Sequence, residues 1–155
     1  MTSNTVLEPH FQWYGFEQLG VSNLYAILQL RERVFQIEQD SLYEDIDGLD
    51  ESALHLLVCG EEGELDGYLR LIDAGTVWKL GRIVLAAGVR GRGLGARLIQ
   101  AGLDKARELA PDKAVKISAQ QALTQYYQGF GFVVSSEPYD DGGVMHLDMM
   151  LAADS

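Results

Sequence analysis

The chain has 155 residues, one cysteine and a formal net charge of −11, which bounds it to a single domain, 1–155 with a core of about 11–151, able to bury a two-layer core without disulfide or metal. The lone Cys59 rules out an intrachain disulfide and favours a reducing compartment, and the acidity argues against nucleic acid as a partner, because that binding needs Lys and Arg to displace phosphate counterions. No apolar run is long enough to span a bilayer and residues 1–10 carry no leader-like pattern, so a cytoplasmic protein with no membrane partner, monomer or homodimer, is expected.

Alternating aromatics over residues 11–19 predict an edge strand. Ser22 is placed to cap a helix reaching about Glu38, with Leu24, Ile27, Leu28, Val34 and Phe35 in one apolar stripe. Residues 40–52 form an acidic loop. Residues 54–59 and 65–72 read as a hairpin turning near Gly63, with Cys59 as a small core residue, and 77–85 is the next strand. A second helix spans 93–109 and stops before Pro111. Residues 115–119 make a short buried strand, 121–128 another helix, and 132–136 with 144–150 a closing hairpin around 140–143. The link from Leu85 to Val115 contains a whole helix, so these two strands are expected to lie parallel, joined by a right-handed crossover. The fold class is α/β, a mixed sheet with helices on both faces.

The densest signal is Val89-Arg90-Gly91-Arg92-Gly93-Leu94-Gly95-Ala96, which follows the β-branched stretch Ile83-Val84-Leu85 and opens the second helix. Glycines let the backbone approach a ligand, and the first N–H groups of the helix, unpaired and at the positive end of its dipole, suit an anion. Arg90 and Arg92 add charge. A tight turn with no ligand is the plainer reading. The spacing is neither a dinucleotide fingerprint, which needs a third glycine and a downstream acid, nor a P-loop, which needs Gly-Lys-Ser/Thr.

Arg90-x-x-Gly93-x-Gly95 resembles the acyl-CoA-binding turn of the GNAT superfamily of N-acetyltransferases. Tyr126-Tyr127-Gln128-Gly129-Phe130-Gly131-Phe132 resembles that superfamily's later aromatic-Tyr motif leading into a strand. Arg33-Val34-Phe35, Glu38-Gln39, Tyr43-x-Asp45-x-Asp47, His55, Gly81-Arg82, Ala119-Gln120 and the stretch from Tyr139 to His146 are similar to its ElaA-like branch, so the resemblance covers about 24–149. It implies a mostly antiparallel twisted sheet whose one parallel strand pair splays apart, with the pantetheine arm in the gap against the backbone of Ile83, Val84 and Leu85. Gly91, Arg92, Gly93, Leu94, Gly95 and Ala96 then cradle the diphosphate. The implied reaction is acetyl transfer from acetyl-CoA, as cosubstrate, to a primary amine by direct attack.

Such attack passes through a tetrahedral oxyanion, which backbone N–H groups near Val84 are expected to stabilise. The departing thiolate needs a proton. Tyr127 stands at the family's position for that acid, and a phenol with pKa of about 10 is well matched to an alkyl thiol. Core packing is the alternative for Tyr127 and the favoured reading for Tyr126. The amine arrives protonated, so a base is required: His146, in the closing strand, is a candidate base or a structural histidine.

Around the acceptor, Asp45 and Asp47 in the acidic loop are candidates to meet a small-molecule or peptide amine, a cation, or are simply solvated. His55, Arg82 and Gln120 are further candidates. His55 has the alternative of pairing with a carboxylate, and Arg82 either fixes an acceptor carboxylate or, preferably, pairs with Asp45 or Asp47. The loop lacks the late bidentate Glu of a Ca²⁺ site, so no metal is expected. A catalytically silent CoA-binding regulator or sensor is the alternative function, with Tyr127 against it.

Overall fold

A computed structural model describes residues 9–153. The strands are β1 (His10–Gly15), β2 (Leu54–Cys59), β3 (Leu65–Asp73), β4 (Val77–Leu85), β5 (Ala114–Gln120), β6 (Val133–Val134), β7 (Tyr139–Asp141) and β8 (Val144–Leu151). They form one sheet in the order β1-β2-β3-β4-β5-β8-β6, with β7 also paired to β8. Among the described residues the strand pairings are antiparallel except β4 with β5, the pair expected from the length of the crossover.

The helices are α1 (Phe16–Arg31), α2 (Leu94–Leu109) and α3 (Thr124–Gln128). Strand alternation feeds both faces of the sheet. Leu56, Val58, Leu69, Leu71 and Leu80 pack with Leu98, Ile99 and Leu103 of α2, and Leu57, Tyr68 and Val84 pack with Ile27, Leu30, Val34 and Phe35 on the α1 side. Each fully buried aliphatic side chain contributes about 1.5–3 kcal/mol. Gly102 brings α2 close to the sheet, since a Cβ there would stand 2.8 Å from Leu80 Cδ1 and 3.2 Å from Leu69 Cδ2.

Several boundaries differ from the sequence expectation. The first strand ends at Gly15, whose N–H donates to Gln18 Oε1 at 2.9 Å, and Phe16 to Leu19 turn into helix instead. Gly20 interrupts α1 at φ 77°, so the main helix does begin near Ser22. After Arg31 the helix widens into π-type turns over Glu32–Glu38, and the wider turn buries both Val34 and Phe35. The segment expected over 121–128 is a 3₁₀ turn, Gln121–Leu123, followed by the short α3. The closing hairpin is β7 and β8, while β6 is two residues long; Pro138 between β6 and β7 has no N–H to give a ladder. Cys59 is half-buried at the end of β2.

The acidic loop is held to the sheet by three arginines. Arg31, fully buried at the end of α1, donates from Nε to Asp45 Oδ2 (3.0 Å), from Nη1 to Asp50 Oδ1 (2.8 Å) and from Nη2 to the Asp45 carbonyl (2.7 Å). Arg70 of β3 donates from Nη1 to Asp47 Oδ1 and Asp50 Oδ1, both at 2.9 Å. Arg82 of β4 pairs through Nε with Asp45 Oδ1 (3.0 Å) and through Nη2 with Asp47 Oδ2 (3.2 Å), so the internal ion pair favoured from the sequence is present. His55 is shut beneath this lattice. Its Nε2–H donates to the Asp50 carbonyl (2.8 Å), which leaves Nδ1 to accept from the Tyr68 hydroxyl (2.6 Å), and burial lowers its pKa.

Removing one partner of such a lattice strands charges out of water. Arg31→Ala should lower the unfolding free energy by about 3–5 kcal/mol in urea melts; a loss of less than about 1 kcal/mol would mean the pairs do not hold the loop. Asp47 sets an acid limit. Burial alone would raise its carboxyl, but the Arg70 hydrogen bond, the Leu49 N–H and the Arg70 and Arg82 charges outweigh it and hold it at about 2, against about 3.9 unfolded. Its stabilisation is therefore complete above about pH 4 and lost as pH falls through about 2. Acid titration of stability should be shallower in Asp47→Asn than in the wild type across that window.

Candidate active site

The parallel pairing of β4 with β5 runs only from Val77 opposite Ala114 to Lys79 opposite Lys116. Just beyond it β4 bulges: Arg70 of β3 faces Gly81 while Tyr68 faces Val84, so Arg82 and Ile83 together stand opposite Leu69. Arg82 adopts φ 51°, in the left-handed region, a conformation that costs a non-glycine residue about 1 kcal/mol or more and persists where surroundings impose it. Here Asp45 and Asp47 grip its guanidinium, which also lies 4.9 Å over the Tyr43 ring. Past the bulge the two parallel strands are unpaired, and a cleft of about 400 Å³ opens between them.

Backbone alternation decides which groups face this cleft. The Ala86 N–H donates to the Asp66 carbonyl at 2.8 Å, marking 66/86 as a hydrogen-bonded pair of the β3–β4 ladder. The next such pair is Tyr68 with Val84. Val84 thus spends its N–H and C=O on β3, and its side chain is buried. The backbone groups turned to the cleft belong to Ile83 and Leu85, the two residues that flank Val84. A binding edge of backbone explains why its side chains read as plain core.

At the upper end of the cleft Gly91 and Gly93 take φ 81° and 76°. Gly93 caps α2 in the left-handed conformation. The first α2 amide with an intrahelical acceptor is that of Arg97, donating to the Gly93 carbonyl at 3.3 Å; the amides of Leu94, Gly95 and Ala96 precede it and have none. Gly95 keeps the helix start close to its neighbours, since a Cβ there would lie 3.5 Å from Leu85 Cδ1 and 3.6 Å from the Tyr126 hydroxyl. Arg92 is exposed beside the cradle. Arg90 is not turned to it: its Nε and Nη2 donate to the Leu85 carbonyl (3.3 and 3.1 Å), and Nη2 pairs with Glu38 Oε2 at 2.8 Å, spanning the cleft mouth.

Tyr127 lines the cleft on the α3 side. Its ring is T-shaped against Phe132 and Tyr126, and burial together with Tyr126 pushes its phenol up to about 12, so the hydroxyl is a donor throughout the physiological range. Tyr126, expected in the core, is 43% exposed, with its ring edge-on to Phe130. His146 of β8 also lines the cleft, stacked on Tyr139. Its Nδ1 lies 2.8 Å from the Val144 carbonyl; a carbonyl only accepts, so Nδ1 carries the hydrogen and neutral Nε2 keeps its lone pair. Gln120 also lines the cleft and donates to Gln39 Oε1 at 3.1 Å.

The acceptor candidates fare unevenly. Asp45 and His55 line neither this cleft nor its neighbour and are buried among their own partners, so neither is free to meet an acceptor. Asp47 is taken by Arg70 and Arg82. Asp141 of β7, which the sequence reading passed over, lines the cleft; the only hint was the turn that follows it.

An unpaired strand edge, a phenol and an imidazole thus share one cleft, with a glycine turn at a helix start beside it. The chain is 36% identical over 136 residues to protein ElaA of Escherichia coli K12, covering 85% of this chain and 89% of that protein, and 34% identical over 147 residues to a UPF0039 protein of Synechocystis, covering 93% and 96%. Its fold superposes on an acyl-CoA N-acyltransferase from Pseudomonas aeruginosa with a TM-score of 0.89 at 36% identity, over 94% of this chain and 100% of that one. Residues 14–153 match the acetyltransferase (GNAT) domain, and with the splayed pair and the cradle both in place the chain belongs to the GNAT acetyltransferase family.

Proposed function

We propose that the protein transfers an acetyl group from acetyl-CoA to a primary amine by direct attack in a ternary complex. The observation that carries this reading is the free backbone edge of Ile83 and Leu85 in one cleft with Tyr127 and His146. The residues present fit the cosubstrate: glycines at positive φ and unpaired helix amides suit a diphosphate, and a strand edge suits the amides of a pantetheine arm.

The amine nitrogen attacks the thioester carbonyl carbon, forming the C–N bond, while the Ile83 N–H donates to the oxygen that takes the charge. His146 Nε2 first takes the proton that leaves the ammonium as a neutral amine and passes it to solvent, and after attack it accepts the second proton that nitrogen sheds. The C–S bond then breaks, and the thiolate takes its hydrogen from the Tyr127 hydroxyl, which recovers a proton by way of solvent from the imidazolium. With a phenol near 12, Tyr127 acts first as a hydrogen-bond donor to the leaving sulfur. Asp141 is the carboxylate positioned to receive the acceptor as an ammonium ion, in place of Asp45 and Asp47.

Tyr127→Phe removes one oxygen and should lower kcat by roughly 10²-fold while leaving acetyl-CoA affinity near wild type. Thiol release at saturating substrates checks it, and an unchanged kcat would make Tyr127 a packing residue. Gly95→Val, at an ordinary helical φ, avoids the backbone strain that Gly93→Val would add. It should weaken acetyl-CoA binding by roughly tenfold or more in calorimetry with the circular dichroism spectrum intact; unchanged affinity would move the cradle elsewhere.

A further inference from the structure

Below the bulge a second cleft, of about 330 Å³, opens off the first and shares Gly81, Arg82, Ile117 and Ser118 with it. Its floor carries an unusual juxtaposition. Lys79 and Lys116 are in register on the parallel strands, and their neighbours Trp78, Leu80, Val115 and Ile117 are buried in the α2-side core, so both lysines project from the opposite, α1-side face. Like charges placed directly across a ladder repel.

The available carboxylates do not balance them. Asp148 lies 3.4 Å from Lys116 Nζ and also accepts the Tyr139 hydroxyl at 2.7 Å. The other acid of this cleft, Asp47, is committed to Arg70 and Arg82. Lys79 makes no hydrogen bond or ion pair among the described residues. Arg70, almost fully buried, lines the same cleft with an Nε–H that has no acceptor. A chain with 23 acidic and 12 basic residues therefore presents an uncompensated positive pocket opening directly onto its thioester-facing crevice.

We propose that this pocket holds an anionic group of the acceptor, a carboxylate or a phosphate, gripped by Lys79 and Lys116 while the acceptor's amine enters the upper cleft. The inference rests on the acyl-transfer reading above and adds the substrate class: an amine that also bears an anion. Lys116 is two to three residues below Ser118 and Ala119, roughly 7–10 Å at a strand rise of about 3.3 Å. That separation matches an extended ω-amino acid of five or six carbons and exceeds the reach of an α-amino acid.

The test compares 6-aminohexanoate with hexylamine, by thiol release from acetyl-CoA and by calorimetric binding of 6-aminohexanoate to the CoA-loaded protein. The wild type should prefer the amino acid by roughly tenfold or more in kcat/KM, carried by KM, as expected for a charge-assisted contact. Lys79→Gln and Lys116→Gln should each shrink that preference, Lys79→Arg should retain it, and Lys79→Glu should reverse it toward 1,5-diaminopentane. Equal use of both amines by the wild type, or a preference that survives Lys79→Glu, overturns the anion pocket while leaving acyl transfer intact. Lysine-dependent binding of 6-aminohexanoate without turnover of any amine keeps the pocket and overturns the transfer reading; neither binding nor preference overturns the pocket.

Discussion

Three arginines facing three aspartates organise this molecule. Arg31 ends the first helix, Arg70 lies mid-strand on β3, Arg82 sits at the bulge of β4, and Asp45, Asp47 and Asp50 reach all three from one loop. The lattice replaces solvent for buried charges and so keeps the loop against the sheet. It also grips Arg82 in a backbone conformation its side chain disfavours, three residues past Lys79, where β4 last pairs with β5. The bulge that lines the cleft is thus held by the same contacts that close the loop.

The site uses backbone where a reader of sequence looks for side chains. Ile83 and Leu85 offer N–H and C=O groups to the cleft because the β3–β4 ladder consumes those of Val84, a parity set by the pair of Asp66 with Ala86. Their apolar side chains serve the core at the same time. Arg90 and Glu38 meet across the mouth, with Arg90 also resting on the Leu85 carbonyl. That carbonyl already accepts two Arg90 N–H groups, from Nε and from Nη2.

Much of this was legible before the structure. The glycine spacing from Gly91 to Gly95 and the helix-length link between two β-rich stretches carried the left-handed turn before α2 and the parallel pair, because both follow from local backbone geometry or chain length, whereas Tyr127 was singled out by resemblance to a family motif. The arginine lattice was half legible: Arg82 stands next to Gly81 in a strand and invites an acidic partner, whereas Arg31 looks like a helix-surface residue and Arg70 like an outward strand position. Their partners are 14 to 23 residues away, and no periodicity encodes such pairing. His55 misled for the same reason, since its acceptor is the Asp50 carbonyl, which every residue type possesses. The Lys79–Lys116 pair depends on strand register, which is invisible until the crossover is folded.

The central claim is that β4 beyond its bulge and the start of α2 form one acyl-CoA edge, and hydrogen exchange of the whole protein with and without acetyl-CoA measures it amide by amide. The account predicts slowed exchange at Ile83, Leu85 and residues 91–96 on saturation, with β1 at the far edge of the sheet unchanged. Saturable acetyl-CoA binding that leaves those amides exchanging at their free rates, or that protects a different surface, would contradict it.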